Sequence, residues 1–429
     1  MSKESRKVIW AGILGNSLEL YDYSLYGYFA AVIAKLFFPS DNPVNSLMAT
    51  YGVFACAFIM RPISALLFGA MGDSKGRKKA LEWSILLMAI PTLFIGMLPT
   101  YAQIGLFAPL LLTLLRLCQA LSVGGEYVGS FSFLIEHAPL HRRCFFGSWC
   151  IIGGFVGKIW ATLITAFITL NISVESLYQW GWRIPFFFGI VFAVSGLIIR
   201  RNISETPIFE EMKKNKQLDK SPLKHAVREG LPGIIGSIGC GIVGTVGLYL
   251  IFVYLPTYFT IERGLPYSTS MLTTSLTIAV TMCMLPLSGL MADRFGRKPI
   301  LIYGPLVLAA AAIPLFEMIA YGSLPTLIAA HVTLGVIYGL INAPMAAIFV
   351  ELFEPNIRYS ASAIAYNTCV CVFGGLTPLI ATWLLSRLGT PIAPGYWLIA
   401  SAIASFISAL FIPETHPLLQ RQKNGRVPV

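Results

Sequence analysis

Charge is what this 429-residue chain has least of: Asp, Glu, Lys and Arg make up 12% of it, against roughly 25% in a soluble chain. With 56% hydrophobic residues, such a chain cannot dress a water-facing surface, which argues against a soluble enzyme. No Gly-x-x-x-x-Gly-Lys-Ser/Thr loop occurs, so ATP-driven transport is disfavoured. The five histidines form no His-Glu-x-x-His pair, and no metal or other cofactor is expected. The eight cysteines are scattered, and the one close pair, Cys369 and Cys371, lies within an apolar run. They read as small packing residues. Zinc-finger spacing and aromatic-interleaved basic faces are also missing, so the net charge of +11 does not point to nucleic acid. A cleavable signal is not expected, because the first apolar segment, from Val8, contains Glu19 and Asp22.

What is present is apolar sequence in repeated lengths. About 20 such residues cross the hydrocarbon of a bilayer. Candidate spans are 9–34, 47–71, 79–98, 103–136, 143–170, 182–200, 232–258, 266–291, 299–319, 324–350, 358–387 and 393–412, numbered 1 to 12 here. The expected fold class is an all-α polytopic membrane protein of twelve helices in two six-helix bundles. The bundles are assigned to residues 1–200 and 231–413, with a linker at 201–230 and a tail at 414–429. Gly-rich stretches in spans 4, 5 and 11, among them Gly153, Gly154, Gly157, Gly374 and Gly375, suit close helix packing.

Basic residues give the orientation. Lys3, Arg6, Lys7, Lys75, Arg77, Lys78, Lys79, Arg142, Arg143, Arg294, Arg297, Lys298 and Arg358 fall on one side with the linker and tail. Lys35, Arg183, Arg263 and Arg387 fall at or near the other. The positive-inside rule therefore places both termini in the cytoplasm. Membrane lipid, including anionic headgroups, is the expected surrounding partner, and no obligatory protein partner is implied.

A segment recurs about half a chain length apart. Gly69-Ala-Met-Gly-Asp73-Ser-Lys-Gly76-Arg77-Lys78 lies between spans 2 and 3, and Gly289-Leu-Met-Ala-Asp293-Arg-Phe-Gly296-Arg297-Lys298 between spans 8 and 9. The glycines permit tight turns or close approach, while Asp and Arg can form a charged latch at helix ends. Two matches at equivalent places argue for duplication.

These paired loops resemble those of the major facilitator superfamily, and further stretches are similar to its metabolite:proton symporter branch. They are Gly15-Asn-Ser-Leu-Glu19-Leu-Tyr-Asp22-Tyr, Arg116-Leu-Cys-Gln119-Ala-Leu-Ser-Val-Gly124-Gly125-Glu126-Tyr127, Gly181-Trp182-Arg183-Ile-Pro185-Phe, Ser204-Glu205-Thr206-Pro207-Ile-Phe209 and Glu351-Leu-Phe-Glu-Pro-Asn-Ile-Arg358-Tyr-Ser. The resemblance covers about residues 10–413. It implies two pseudo-symmetric bundles, alternating access and proton-coupled uptake of solutes such as proline, betaine, alpha-ketoglutarate, citrate or shikimate. Leu20-Tyr21 stands where that branch usually has Trp-Phe, and Cys118-Gln119-Ala120 departs from its Gln-Gly pattern.

Charge inside the hydrocarbon is costly, so each intramembrane ionisable residue is a functional candidate. Glu19 and Asp22 share one helical face, with Tyr26 a turn further on. Their repulsion favours a proton on one of them unless a cation intervenes. Arg116 cannot shed its proton, and the resemblance associates the fourth-span arginine with coupling. Glu19, Asp22 and Arg116 are therefore the coupling candidates, with the proton as coupling ion. Glu126 and Lys158 read equally as a buried structural pair or as cavity residues. Arg61 and Arg183 read as snorkelling cations near span ends. The candidate cavity residues are Tyr23, Tyr26, Gln119, Glu126, Trp149, Lys158, Trp160, Asn342, Tyr366 and Asn367. The latch candidates are Gly69, Asp73, Gly76, Arg77, Gly289, Asp293, Gly296 and Arg297.

The expected function is proton-coupled import of a small polar organic solute, an osmolyte zwitterion or an organic carboxylate, across a bacterial inner membrane. An organic-ion exchanger or effluxer is the alternative in the same fold. A non-transporting sensor is the alternative of another class, and the lack of an appended signalling domain counts against it.

Overall fold

The computed structural model describes residues 16–17, 20–75, 77–122, 135, 138–201, 222–353 and 357–416. The described secondary structure is helical throughout. That is the expected answer to a chain in lipid, where each backbone N–H and C=O must be satisfied within its own segment. Eight helices are long and apolar enough to cross a membrane among the described residues, from Pro43–Ser64 to Ala393–Phe411.

Span 1 is helical over 20–28 and again over Ala30–Phe37. Span 2 is Pro43–Lys75, span 3 Arg77–Met97, and span 4 is described over Phe107–Ala120. Span 5 is Arg143–Asn171 and span 6 Ile184–Arg201. Span 7 runs from Pro222 to Ile261 and is broken by a π-helical turn at Leu250–Tyr254. Its helix begins inside the stretch assigned to the linker, because 223–229 contains neither Gly nor Pro and Pro222 is a residue favoured at a helix start. Spans 8, 9 and 10 are Tyr267–Phe295, Arg297–Tyr321 and Leu324–Glu351. Span 11, Arg358–Leu388, contains a second π-turn at Val370–Gly374, and span 12 is Ala393–Phe411.

Spans 2, 3, 4 and 6 pack among themselves, as do spans 7, 9, 10, 11 and 12. The two groups meet chiefly where span 5 lies along spans 8 and 10, and where span 2 lies along span 11. Lipid tails are as apolar as leucine, so this packing depends on close fit rather than on expulsion of water. Gly157 shows how close: a Cβ there would lie 1.9 Å from the Ser17 carbonyl oxygen. Any side chain at that position would push span 1 off span 5. Around the outside, Ile59, Phe94, Phe167, Phe295 and Phe411 are exposed, as a lipid-facing belt requires.

One end of the bundle carries the helix ends at Lys75, Arg77, Arg143, Phe295, Arg297, Glu351 and Arg358 together with residues 412–416. It is called the linker end below, and the opposite end is called the far end.

Candidate functional site

Asp22 is 3% exposed, and its two carboxylate oxygens are served by neutral donors. Thr92 Oγ1 lies 2.7 Å from Oδ1, and Gln119 Nε2 donates to Oδ2 at 2.6 Å. Arg116 does not reach the acid itself: its Nη1 donates to Gln119 Oε1 at 2.8 Å. The guanidinium lies over the rings of Tyr26 and Tyr23, at 4.5 and 4.9 Å from their centroids. Such cation–π placement partly replaces lost hydration. Spans 1, 3 and 4 thus build one buried network in which a glutamine separates the anion from the cation.

Arg61 corrects the reading of a snorkelling residue. It is buried in mid-helix of span 2 and lies over Phe58 and Tyr23, at 4.9 and 5.1 Å. Aromatic faces, which sequence spacing does not reveal, hold it there. Arg183 does sit at a span end, where Nη2 donates to Leu98 O at 2.9 Å. Lys158 is also buried and donates to Ser24 Oγ at 3.1 Å, with the Tyr249 ring 5.8 Å away.

Between the two groups of spans lies a partly open cavity. Leu20 of span 1, Phe155 of span 5, Thr245 of span 7, Tyr338 and Asn342 of span 10, and Tyr366 of span 11 are among its lining. None of the described lining residues carries a fixed charge. Of the candidate cavity residues, Asn342 and Tyr366 line this space. Tyr23, Tyr26 and Gln119 belong instead to the Arg116 network, and Asn367 is turned into its own helix, donating to Ala363 O. Trp149 and Trp160 are a correction. They are 42% and 49% exposed on span 5, because an indole is as content in lipid as in a pocket. Phe155 and Tyr338 were missed, since apolar positions that face a cavity and those that face a neighbouring helix carry the same sequence pattern.

The far side of the cavity is closed by rings. Tyr249 of span 7 packs edge-on against Phe58 and Phe54 of span 2, at 5.3 and 5.9 Å. Tyr254 lies 6.1 Å from Tyr51, and Thr257 Oγ1 donates to Gly27 O at 3.1 Å.

The linker end is held by ions. Asp293, at the end of span 8, accepts from the backbone N–H groups of Cys144 and Phe145 at 3.0 and 2.9 Å. Those are unsatisfied donors at the start of span 5, where the helix dipole also favours an anion. Arg297 Nη2 lies 3.4 Å from Asp293 Oδ1 and 3.2 Å from Glu351 Oε1, and Arg143 lies 3.6 Å from Glu351. Gly289 permits the contact, for a Cβ there would come within 2.7 Å of Phe145 Cα. Gly296 adopts φ 99° and ψ 163°, a region open essentially to glycine alone. Glu414 adds acceptors for the backbone N–H groups of Arg297 and Lys298. Sequence reading found Asp293 and Arg297; Glu351 was noted only as part of a motif, and Glu414 was missed. Of the equivalent N-terminal segment, Gly69, Asp73 and Arg77 are described by backbone alone. Gly76, Glu19 and Glu126 lie outside the described residues.

Comparison with known proteins agrees with this architecture. The family model described as "Sugar (and other) transporter" matches residues 8–234, and that of the "Major Facilitator Superfamily" matches 268–428. A proline/betaine transporter of Salmonella typhimurium is 36% identical over 422 residues, covering 96% of this chain and 84% of that protein. The glycine betaine/proline/ectoine/pipecolic acid transporter OusA of Dickeya dadantii is 34% identical, covering 96% and 83%. The xylose transporter XylE of E. coli, in a partially occluded inward-open structure, superposes with a TM-score of 0.77 at 18% identity, covering 96% and 99%.

Proposed function

The chain belongs to the major facilitator superfamily, and on that premise we propose that it imports a small zwitterionic osmolyte of the proline or betaine kind, coupled to protons. It is an integral membrane transporter and not an enzyme, with the two pseudo-symmetric six-helix bundles of that fold. Residues 1–200 and 231–413 are the proposed moving halves, joined by 201–230, with both termini in the cytoplasm of a bacterial cell.

The observation that carries the choice of cargo is the cavity lining. Among the described residues it is aromatic and amide-bearing, with no fixed charge. A tricarboxylate would enter such a space with its anions uncompensated. A compact quaternary amine instead suits the ring faces of Tyr338, Phe155 and Tyr366. Its single carboxylate has the Asn342 amide to meet. The names of the full-length relatives support the same class.

Asp22 is the proposed proton carrier. Its partners are neutral, so taking up a proton removes one charge without stranding a directly paired cation. In the proposed cycle a proton arrives from the far side, solute binds in the cavity, and the rings at the far end and the ions at the linker end open in turn. The test is uptake into proteoliposomes of radiolabelled glycine betaine, proline, alpha-ketoglutarate and citrate, with and without an inward proton gradient. Glycine betaine or proline should accumulate only with the gradient. Accumulation of citrate alone would overturn the cargo assignment.

A further inference from the structure

The π-turn in span 7 leaves a backbone group without its usual partner. In that turn the Leu255 N–H goes to Leu250 O rather than to Ile251 O. The next donor in π register to Ile251 is residue 256, a proline with no N–H. A carbonyl buried in a membrane bundle cannot turn to water, and leaving it unmet is costly. His331 of span 10 meets it: Nε2 lies 3.0 Å from Ile251 O. The carbonyl only accepts, so Nε2 carries the proton, and Nδ1 faces Thr277 Oγ1 at 3.1 Å. The same imidazole packs edge-on against Phe259 at 5.0 Å, beyond the break.

Span 11 also carries a π-turn, in which the Gly375 N–H goes to Val370 O, with Pro378 shortly after it. Phe373 O accepts from Thr377 Oγ1 at 2.5 Å, and Trp397 Nε1 of span 12 donates to that hydroxyl at 3.0 Å.

We infer that His331 is a positioning residue for transport: its Nε2–H replaces the donor that Pro256 lacks and fixes the broken segment of span 7 that closes the far end. Tyr254 and Thr257, on or just past the π-turn, make the contacts with Tyr51 and Gly27. His331 touches neither the cavity nor the Asp22 network through any bond described here; its effect is on the closure. The rate consequence rests on the proposed function, while the structural consequence does not.

The test is a rescue. His331→Met removes the donor at similar bulk, and His331→Gln keeps an amide donor at the reach of Nε2. Pro256→Ala restores an N–H at the position the π register calls for. In purified full-length protein, His331→Met should speed hydrogen exchange at amides 257–261 by about tenfold. In proteoliposomes it should lower the maximal rate of glycine betaine or proline uptake about tenfold, with KM held within about twofold. His331→Gln and the double variant His331→Met/Pro256→Ala should both return near wild type. If His331→Met cannot be purified, His331→Gln against His331→Asn makes the same comparison, since the shorter amide cannot reach Ile251 O. The inference is overturned if neither a side-chain amide nor the new backbone N–H restores exchange protection, for then only ring packing matters. If the exchange pattern holds while the wild type takes up neither solute, His331 keeps its role and the cargo assignment fails.

Discussion

At the linker end Asp293 and Arg297 stand 3.4 Å apart, whereas in the N-terminal half Gln119 separates Asp22 from Arg116. The first is a joint. Asp293 holds two N–H groups of the facing half, and neutralising it would leave Arg297 leaning on Glu351 and the start of span 5 uncapped. In the proposed cycle its partners change when the two halves separate, so its charge would bear on which conformation is populated. The second is contained in one half, among spans 1, 3 and 4, and is bonded through neutral groups. As the proposed proton carrier, Asp22 would gain or lose a proton while those helices stay packed. In the proposed account the linker-end pair ties its half to the other through Asp293, while Asp22, held apart from Arg116 within one half, is the titrating group.

The largest expected effect follows from removing the titrating group. One proton moving down 100 mV carries about 2.3 kcal/mol, enough for roughly fiftyfold accumulation of a neutral solute. Asp22→Asn should lose that accumulation in gradient-driven uptake while exchange between preloaded vesicles falls far less. Equal loss of both would mean that Asp22 organises the fold or the cavity rather than coupling.

Asp293→Asn should come next. The amide keeps one acceptor but loses the charge facing the start of span 5, and transport should slow about tenfold through the balance of states. Binding of glycine betaine to the purified variant should change little. A large loss of affinity, with unchanged cysteine accessibility on both sides, would remove Asp293 from the latch.

Arg116→Lys sharpens the other side of the comparison. An ammonium can donate to Gln119 but cannot spread over both tyrosine rings, so a roughly threefold to tenfold fall in uptake rate is expected. Full activity would show that only the charge is needed. The smallest effect belongs to Trp149→Ala and Trp160→Ala, whose exposed indoles should leave uptake within about twofold. A strong change in KM from either would return them to the cavity.

Much of the fold was legible because hydrocarbon imposes one rule on every span, and because the Gly289–Lys298 segment repeats an earlier one. Asp22, Arg116 and Gln119 stood out for the same reason: polar groups in apolar runs need partners. Thr92, which joins them, did not, since a threonine that bonds its own helix at Met88 O looks the same in sequence as one that also serves an acid on another span. The cavity was least legible. Its wall is mostly apolar, and which apolar face meets lipid, helix or empty space depends on how the spans rotate against one another. Trp149, Trp160 and Arg61 were misread because lipid and ring faces accept them as readily as a pocket or a span end does. The π-turns left only Pro256 and Pro378 as traces, and prolines occur within spans 2, 3, 8, 9 and 10 as well.

The most direct measurement is proton movement itself. Proteoliposomes holding wild type or Asp22→Asn, with a pH-sensitive dye inside and no imposed gradient, are given glycine betaine or proline outside. Wild type should acidify the lumen as solute enters, and Asp22→Asn should admit labelled solute to equilibrium with no acidification. Equal acidification by the two proteins would contradict the assignment of the proton to Asp22.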